Sequence, residues 1–255
     1  SADRALIRAY TSMLADLGHD VYETDFEAPF LAEASTFYRA ERAAAAGAGV
    51  TPPDFLRAAE ARLAEEAARV GHYLDPGTGP KLCVVVEDAL LAGAAADDLV
   101  AAPVGGLVSL LEAGGGPGGA PGPAPMADLA RMHRLLGRVS GGHDRMRAAL
   151  GAHVRAAGAG LVADTTAAAD PPAWVAGVLA FKARFDAVVG GAWGGDKAFA
   201  NALNGACEAF LNTAPRAPEF LSLFIDDRLR RGGRGGGAGG AGGGGGVGEE
   251  EGGVA

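Results

Sequence analysis

The chain has 255 residues, enough for one large hydrophobic core or two modest ones, and a net charge of −9, from 31 acidic against 22 basic side chains. That balance argues against a general nucleic-acid binder and against an anionic membrane surface as partner. Hydrophobic residues make up 49% but aromatics only 6%, and Gly occurs 42 times. Such a composition suits close helix–helix contacts between small side chains and places part of the chain outside any packed fold.

In chain order, the clearest predicted helix covers residues 51–74. Thr51 can cap it, Pro52 fits its first turn and Asp54 follows three residues after the cap. Leu56, Ala59, Leu63, Ala67, Val70 and Leu74 recur at three- and four-residue steps and form one face. Arg57, Glu60, Arg62, Glu65, Glu66 and Arg69 are expected on the opposite, solvated face, with Glu65 placed four residues before Arg69 for a favourable pair. Residues 82–86 (LCVVV) are strand-like, but the EDALLAG that follows favours helix and the segment has no partner strand. Residues 113–125 (AGGGPGGAPGPAP) read as a Gly/Pro-rich linker, since Pro removes amide donors and Gly raises the entropic cost of order.

Beyond the linker the pattern stays helical. Met126, Leu129, Met132, Leu136 and Val139 form one stripe; Met146, Leu150, Val154, Ala157 and Leu161 form the next. A helix is expected after Asp170, with Pro171 in its first turn, Trp174, Val178, Phe181, Phe185 and Val188 buried, and Lys182 facing Asp186. Phe199, Leu203, Cys207 and Phe210 follow, then Phe220, Leu223, Phe224 and Leu229. Residues 232–246 are nearly pure Gly, with no side chains to pack, so disorder is expected there. The fold class expected is all-α.

Few residues suggest chemistry. His19, His72, His133, His143 and His153 make no HExxH or HxH and have no Cys at ligand spacing. The last three recur every ten residues, which is not a single-face helical spacing, so solvated or partly buried histidines are the preferred reading. Asp97–Asp98 and Asp226–Asp227 are adjacent pairs whose side chains point about a hundred degrees apart on a helix and do not converge. No GxxxxGK[ST] and no GxSxG occurs. Arg231-Gly-Gly-Arg234-Gly-Gly is like an RGG-type RNA-binding segment, but no aromatic interleaves the arginines and Glu249–Glu251 follow, which favours a solvated linker. Catalytic, cofactor-binding and metal residues are therefore all expected to be absent. Cys83 and Cys207 read as small buried hydrophobes in apolar helical runs, which suits a reducing compartment. No run approaches eighteen large apolar residues and no signal pattern opens the sequence, so a soluble protein of the cytoplasm or nucleus is expected.

Several blocks carry a more specific resemblance. Residues 22–31 (YETDFEAPFL) and 37–41 (FYRAE) are followed in order by 60–75 (EARLAEEAARVGHYLD), 106–111 (GLVSLL) and 128–139 (DLARMHRLLGRV). FDAVV, DKAFANALN and CEAFLN within 181–212 come next, and then 218–232 (PEFLSLFIDDRLRRG). In this order the blocks resemble the cullin family, and PEFLSLFIDD with the terminal VGEEE is most like the third cullin subtype, the one that takes BTB-domain adaptors. The resemblance implies stacked five-helix repeats forming an elongated stalk. In such a stalk one end binds the adaptor and the far end holds a RING protein and a lysine that accepts a ubiquitin-like modifier. It divides the chain into 1–112, part of the second repeat; the linker 113–125; 126–231, the third repeat; and a Gly-rich tail, 232–255. Both working ends would lie outside this stretch, and no residue matches a family catalytic, modifier-acceptor or RING-binding motif. Gly194-Gly195 stand where the family often has two Asn, a departure expected to weaken that turn.

The function implied is a non-catalytic scaffold segment of a cullin–RING ubiquitin ligase, serving ubiquitin-dependent protein degradation. A free-standing helical interaction module and an RNA-associated protein acting through the RGG-like tail are the alternatives.

Overall fold

The computed structural model describes residues 4–113, 119–163 and 170–234, and every regular element among the described residues is helical. Helix α1 (Arg4–Leu17) is followed by α2 (His19–Tyr22), which passes through a π-helical turn (Glu23–Glu27) into α3 (Ala28–Gly47). Next come α4 (Pro52–Tyr73), α5 (Thr78–Leu91), α6 (Ala94–Ala101) and α7 (Leu107–Glu112). The remainder is α8 (Pro123–Leu136), α9 (Gly142–Ala163), α10 (Pro171–Gly191), α11 (Lys197–Leu211) and α12 (Ala217–Arg234).

Local chemistry sets the helix starts. Thr51 holds extended dihedrals and its hydroxyl accepts from the Asp54 amide, while Pro52 and Pro53 occupy the first turn of α4. Asp170 caps α10 in the same way through the Ala173 amide, again ahead of two prolines. Asp196 caps α11 through the amides of Ala198 and Phe199. The strand-like LCVVV lies inside α5, where Leu82 and Val86 are buried. Helix α8 begins at Pro123, so residues 123–125 of the expected linker form its first turn, as proline's fixed φ allows. Residues 232–234 of the Gly-rich run likewise complete α12; the rest of that run lies outside the described residues.

The main core draws Tyr38 from α3, Leu56 and Leu63 from α4, Val86 and Leu90 from α5, Leu129 and Met132 from α8, and Leu150 and Val154 from α9, and it continues to Phe185, Phe199 and Leu203. A second cluster packs Trp174, Val175 and Val178 of α10 against Ala217 and Phe220 of α12. Two expected faces differ from the sequence reading. Glu66, assigned to the solvated face of α4, is buried, whereas Ala67 is exposed. Of the stripe expected on α12 only Phe220 is buried, and Leu223 and Leu229 remain 48% and 70% exposed. Both Gly194 and Gly195 adopt positive φ (60° and 74°), which glycine reaches without a Cβ penalty and which Asn also tolerates.

Candidate functional site

Charged side chains bridge the helices on either side of the 113–125 segment. On the α4–α8 seam, Arg57 pairs with Asp128 at 2.9 Å, and Glu60 accepts from Arg131 at 3.1 Å and Arg134 at 2.5 Å. Asp128 also accepts from Arg131, one turn along α8. On α5, the buried carboxylate of Glu87 takes Arg138 at 2.5 Å and the Cys83 thiol at 3.0 Å. Burial and the Glu87 carboxylate together push the Cys83 thiol pKa up, away from nucleophilic reactivity. Helix α6 is held on both sides, Asp98 by Arg42 of α3 and Asp97 by Arg145 of α9. Isolated surface pairs contribute little; on the α4–α8 seam the pairs share Asp128, Arg131 and Glu60 and so form one linked set between two helices.

A second group of polar contacts is buried. Thr78 donates to Glu27 at 2.7 Å and shares a 2.9 Å hydrogen bond with the Tyr22 hydroxyl, while Lys81 donates to the other Glu27 oxygen at 2.6 Å. Burial alone would raise the Glu27 pKa, but the hydrogen bonds from Lys81 and Thr78, together with the Lys81 charge, hold it below the ordinary value. The π-helical turn carries Glu27 toward α5, so this network ties the YETDFEAPFL segment to α5. Nearby, the Tyr38 hydroxyl donates to Glu66 at 2.5 Å, and Arg69 donates to the same oxygen at 2.6 Å. Burial and the Glu66 carboxylate drive the Tyr38 pKa far upward, so the phenol stays a donor.

The third cluster joins residues far apart in sequence. His133, in the last turn of α8, and His143, in the first turn of α9, stack with ring centroids 4.2 Å apart. His133 Nε2 lies 3.3 Å from Asp196 Oδ2, and His143 Nε2 lies 2.8 Å from the His133 carbonyl oxygen. The tight α8–α9 connection makes this possible: a Cβ on Gly137 would come within 2.6 Å of His143 Nε2. Trp193 and Phe199 flank the pair. Burial, and then the neighbouring His143, lower the His133 pKa; Asp196 is also lowered, its hydrogen bonds to Ala198 and His133 outweighing burial.

The remaining sequence candidates do not converge. His153 lies apart from that pair, 3.7 Å from Glu112, its pKa lowered by burial, and His19 is exposed at the start of α2. The side chains of His72, Arg231 and Arg234 lie outside the described ones. Asp97 and Asp98 bind arginines on different helices, and Asp226 pairs with Arg230. Cys207 is buried, whereas Cys83, also expected to be buried, is only partly so. Sequence reasoning missed the His133–His143–Asp196 cluster because it tested a single helix face, whereas the histidines meet across a turn. No helix among the described residues is long and apolar enough to cross a membrane.

Comparison with known proteins bears on the whole arrangement. The family profile described as the Cullin alpha solenoid domain matches residues 1–240. Cullin-3A of Arabidopsis thaliana is 38% identical over 233 residues, covering 90% of this chain and 30% of the relative. Cullin-3 of Dictyostelium discoideum is 34% identical over the same length, and Cullin-4A of Mus musculus 32% over 239 residues. The chain thus spans about 30% of the length of the curated relatives it matches. With a family match across residues 1–240, helices throughout the described residues and Cullin-3 proteins among its relatives, the chain belongs to the cullin family and is Cullin-3-like over this span.

Proposed function

We propose that this chain is a non-catalytic scaffold segment of a cullin–RING E3 ubiquitin ligase, lying in the stalk between a substrate-adaptor module and a RING module. The observation that carries the reading is the match to the Cullin alpha solenoid domain across residues 1–240. The interhelical ion pairs and close-packed helices support it, because a spacer needs a fixed register between successive helices rather than a reactive group. A ligase of this kind accelerates transfer mainly by holding donor and acceptor near each other, and the stalk sets that distance. The partners proposed for the full assembly are a BTB-domain adaptor and a RING protein, bound outside this segment.

The test is a chimera in which this chain replaces the matching stretch of a full-length Cullin-3 relative, in a reconstituted ubiquitination reaction. The expected result is transfer close to the parent's, while the isolated chain supports none. Loss of transfer by a folded chimera that still binds adaptor and RING protein overturns the reading, as does transfer by the isolated chain.

A further inference from the structure

We propose that His133, His143 and Asp196 form a binding site for a divalent transition-metal ion of the zinc class, which clasps α8, α9 and the start of α11. One ligand atom from each of the three residues lies within 4.8 Å of the others. The 3.3 Å between His133 Nε2 and Asp196 Oδ2 matches the spacing of two ligands on one tetrahedral zinc ion, about 3.3 Å for metal–ligand bonds of about 2.05 Å.

The surrounding bonds sort the atoms. Asp196 uses Oδ1 for the α11 amides of Ala198 and Phe199, leaving Oδ2 toward the histidine. The His133 carbonyl can only accept, so His143 Nε2 bears the hydrogen of their 2.8 Å contact and the ring's lone pair lies on Nδ1. Metal-bound imidazoles usually donate the other ring N–H to such a carbonyl; the His143 ring, stacked on His133, must turn out of that stack for its Nδ1 to reach an ion held by His133 and Asp196. Two imidazoles and one carboxylate suit zinc and its first-row neighbours, with a fourth position left for water. Arg147, which lies over the ring of Phe199 beside the cluster, is paired with Asp144. The cluster is only partly buried, so an ion can enter from solvent.

A metal that binds the folded chain stabilises it by mass action. Zinc chloride is therefore titrated into the full chain by calorimetry, with thermal unfolding read in parallel. One equivalent is expected to bind and raise the Tm by several degrees, reversibly with a chelator. His133→Gln, His143→Gln and Asp196→Asn should each weaken binding roughly tenfold or more. Asn can still cap α11, and circular dichroism establishes that each variant is folded. Cobalt(II) gives a second readout on the unaltered chain: visible bands of nitrogen and oxygen ligation support the site, whereas a thiolate charge-transfer band assigns the metal to the cysteines and overturns it. Absence of zinc binding to the unaltered chain, or equal binding by the folded variants, also overturns it.

Discussion

Gly158 lies against the ring of Phe210: a β-carbon on the glycine would sit 2.2 Å from Phe210 Cδ1 and 2.5 Å from Cε1. The contact brings α9 and α11 together where Val154, Ala206 and Cys207 are also buried. Small residues at such a crossing let backbones approach, and there is no flexible end that could move aside.

Gly158→Ala is therefore expected to destabilise the fold by about 1–3 kcal/mol through overpacking, although Ala is the better helix former. Denaturant unfolding of the variant checks it. Phe210→Leu alone should also destabilise, but the double variant should lose less than the sum of the two, because the smaller side chain relieves the clash.

Glu66, which sequence patterning places on the solvated face of α4, instead meets Tyr38 in the interior. Their 2.5 Å hydrogen bond is buried, and Arg69 supplies the balancing charge. Tyr38→Phe should cost roughly 1.5–3 kcal/mol, the usual range for a hydrogen bond to a charged group. Glu66→Leu leaves the buried hydroxyl without its acceptor and should cost a comparable amount. Near-additive losses in a double-mutant cycle would show that the two side chains act independently, contrary to expectation.

The acid limb of stability should report Glu27. Its folded pKa lies below the ordinary value of 4.5, so its contribution is complete above that pH. The contribution declines as pH falls through 4.5 and on through the folded value, where both states become protonated. Glu27→Gln should be less stable at neutral pH and show a shallower decline below about pH 4.5. Denaturation midpoints measured from pH 7 to pH 3 test this; parallel curves for the two proteins would contradict it.

The helices are legible where a local signal decides them. Thr51-Pro52 and Asp170-Pro171 carry their own caps, and the apolar stripes of α8, α9 and α11 have partners among the described helices. Glu66 is not legible, because its burial depends on Tyr38, twenty-eight positions earlier on another helix. The stripe on α12 misleads because periodicity gives the apolar face without saying whether anything covers it. The π-helical turn at Glu23–Glu27 leaves no compositional mark; its evident effect is to deliver Glu27 to Thr78 and Lys81. A spacing argument valid for one helix passes over His133 and His143, and the turn between α8 and α9 makes that argument inapplicable.

The α4–α8 seam offers the sharpest test of how register is held. Glu60 lies between Arg131 and Arg134, and its carboxyl is kept below the ordinary range, first by the hydrogen bond from Arg134 and then, against burial, by that from Arg131. Because Glu60 and Arg134 are well exposed, each pair is screened, and Glu60→Gln should cost no more than about 1 kcal/mol. Glu60→Arg is different in kind: it sets a third cation beside Arg131 and Arg134 and replaces two attractions by two repulsions. Its cost should exceed that of Glu60→Gln at low ionic strength and fall toward it as salt is raised, since the Debye length shrinks from about 10 Å at 0.1 M to about 3 Å at 1 M. Adding Arg131→Glu to Glu60→Arg restores one opposite-charge contact but sets a new carboxylate beside Asp128, so recovery should be partial. Hydrogen exchange localises the effect: the amides of α8 should lose protection in Glu60→Arg while those of α11, which packs mainly on α9, keep theirs. Equal loss of protection in α11 would mean that the seam is not a separate joint and that the core alone sets the register of these helices.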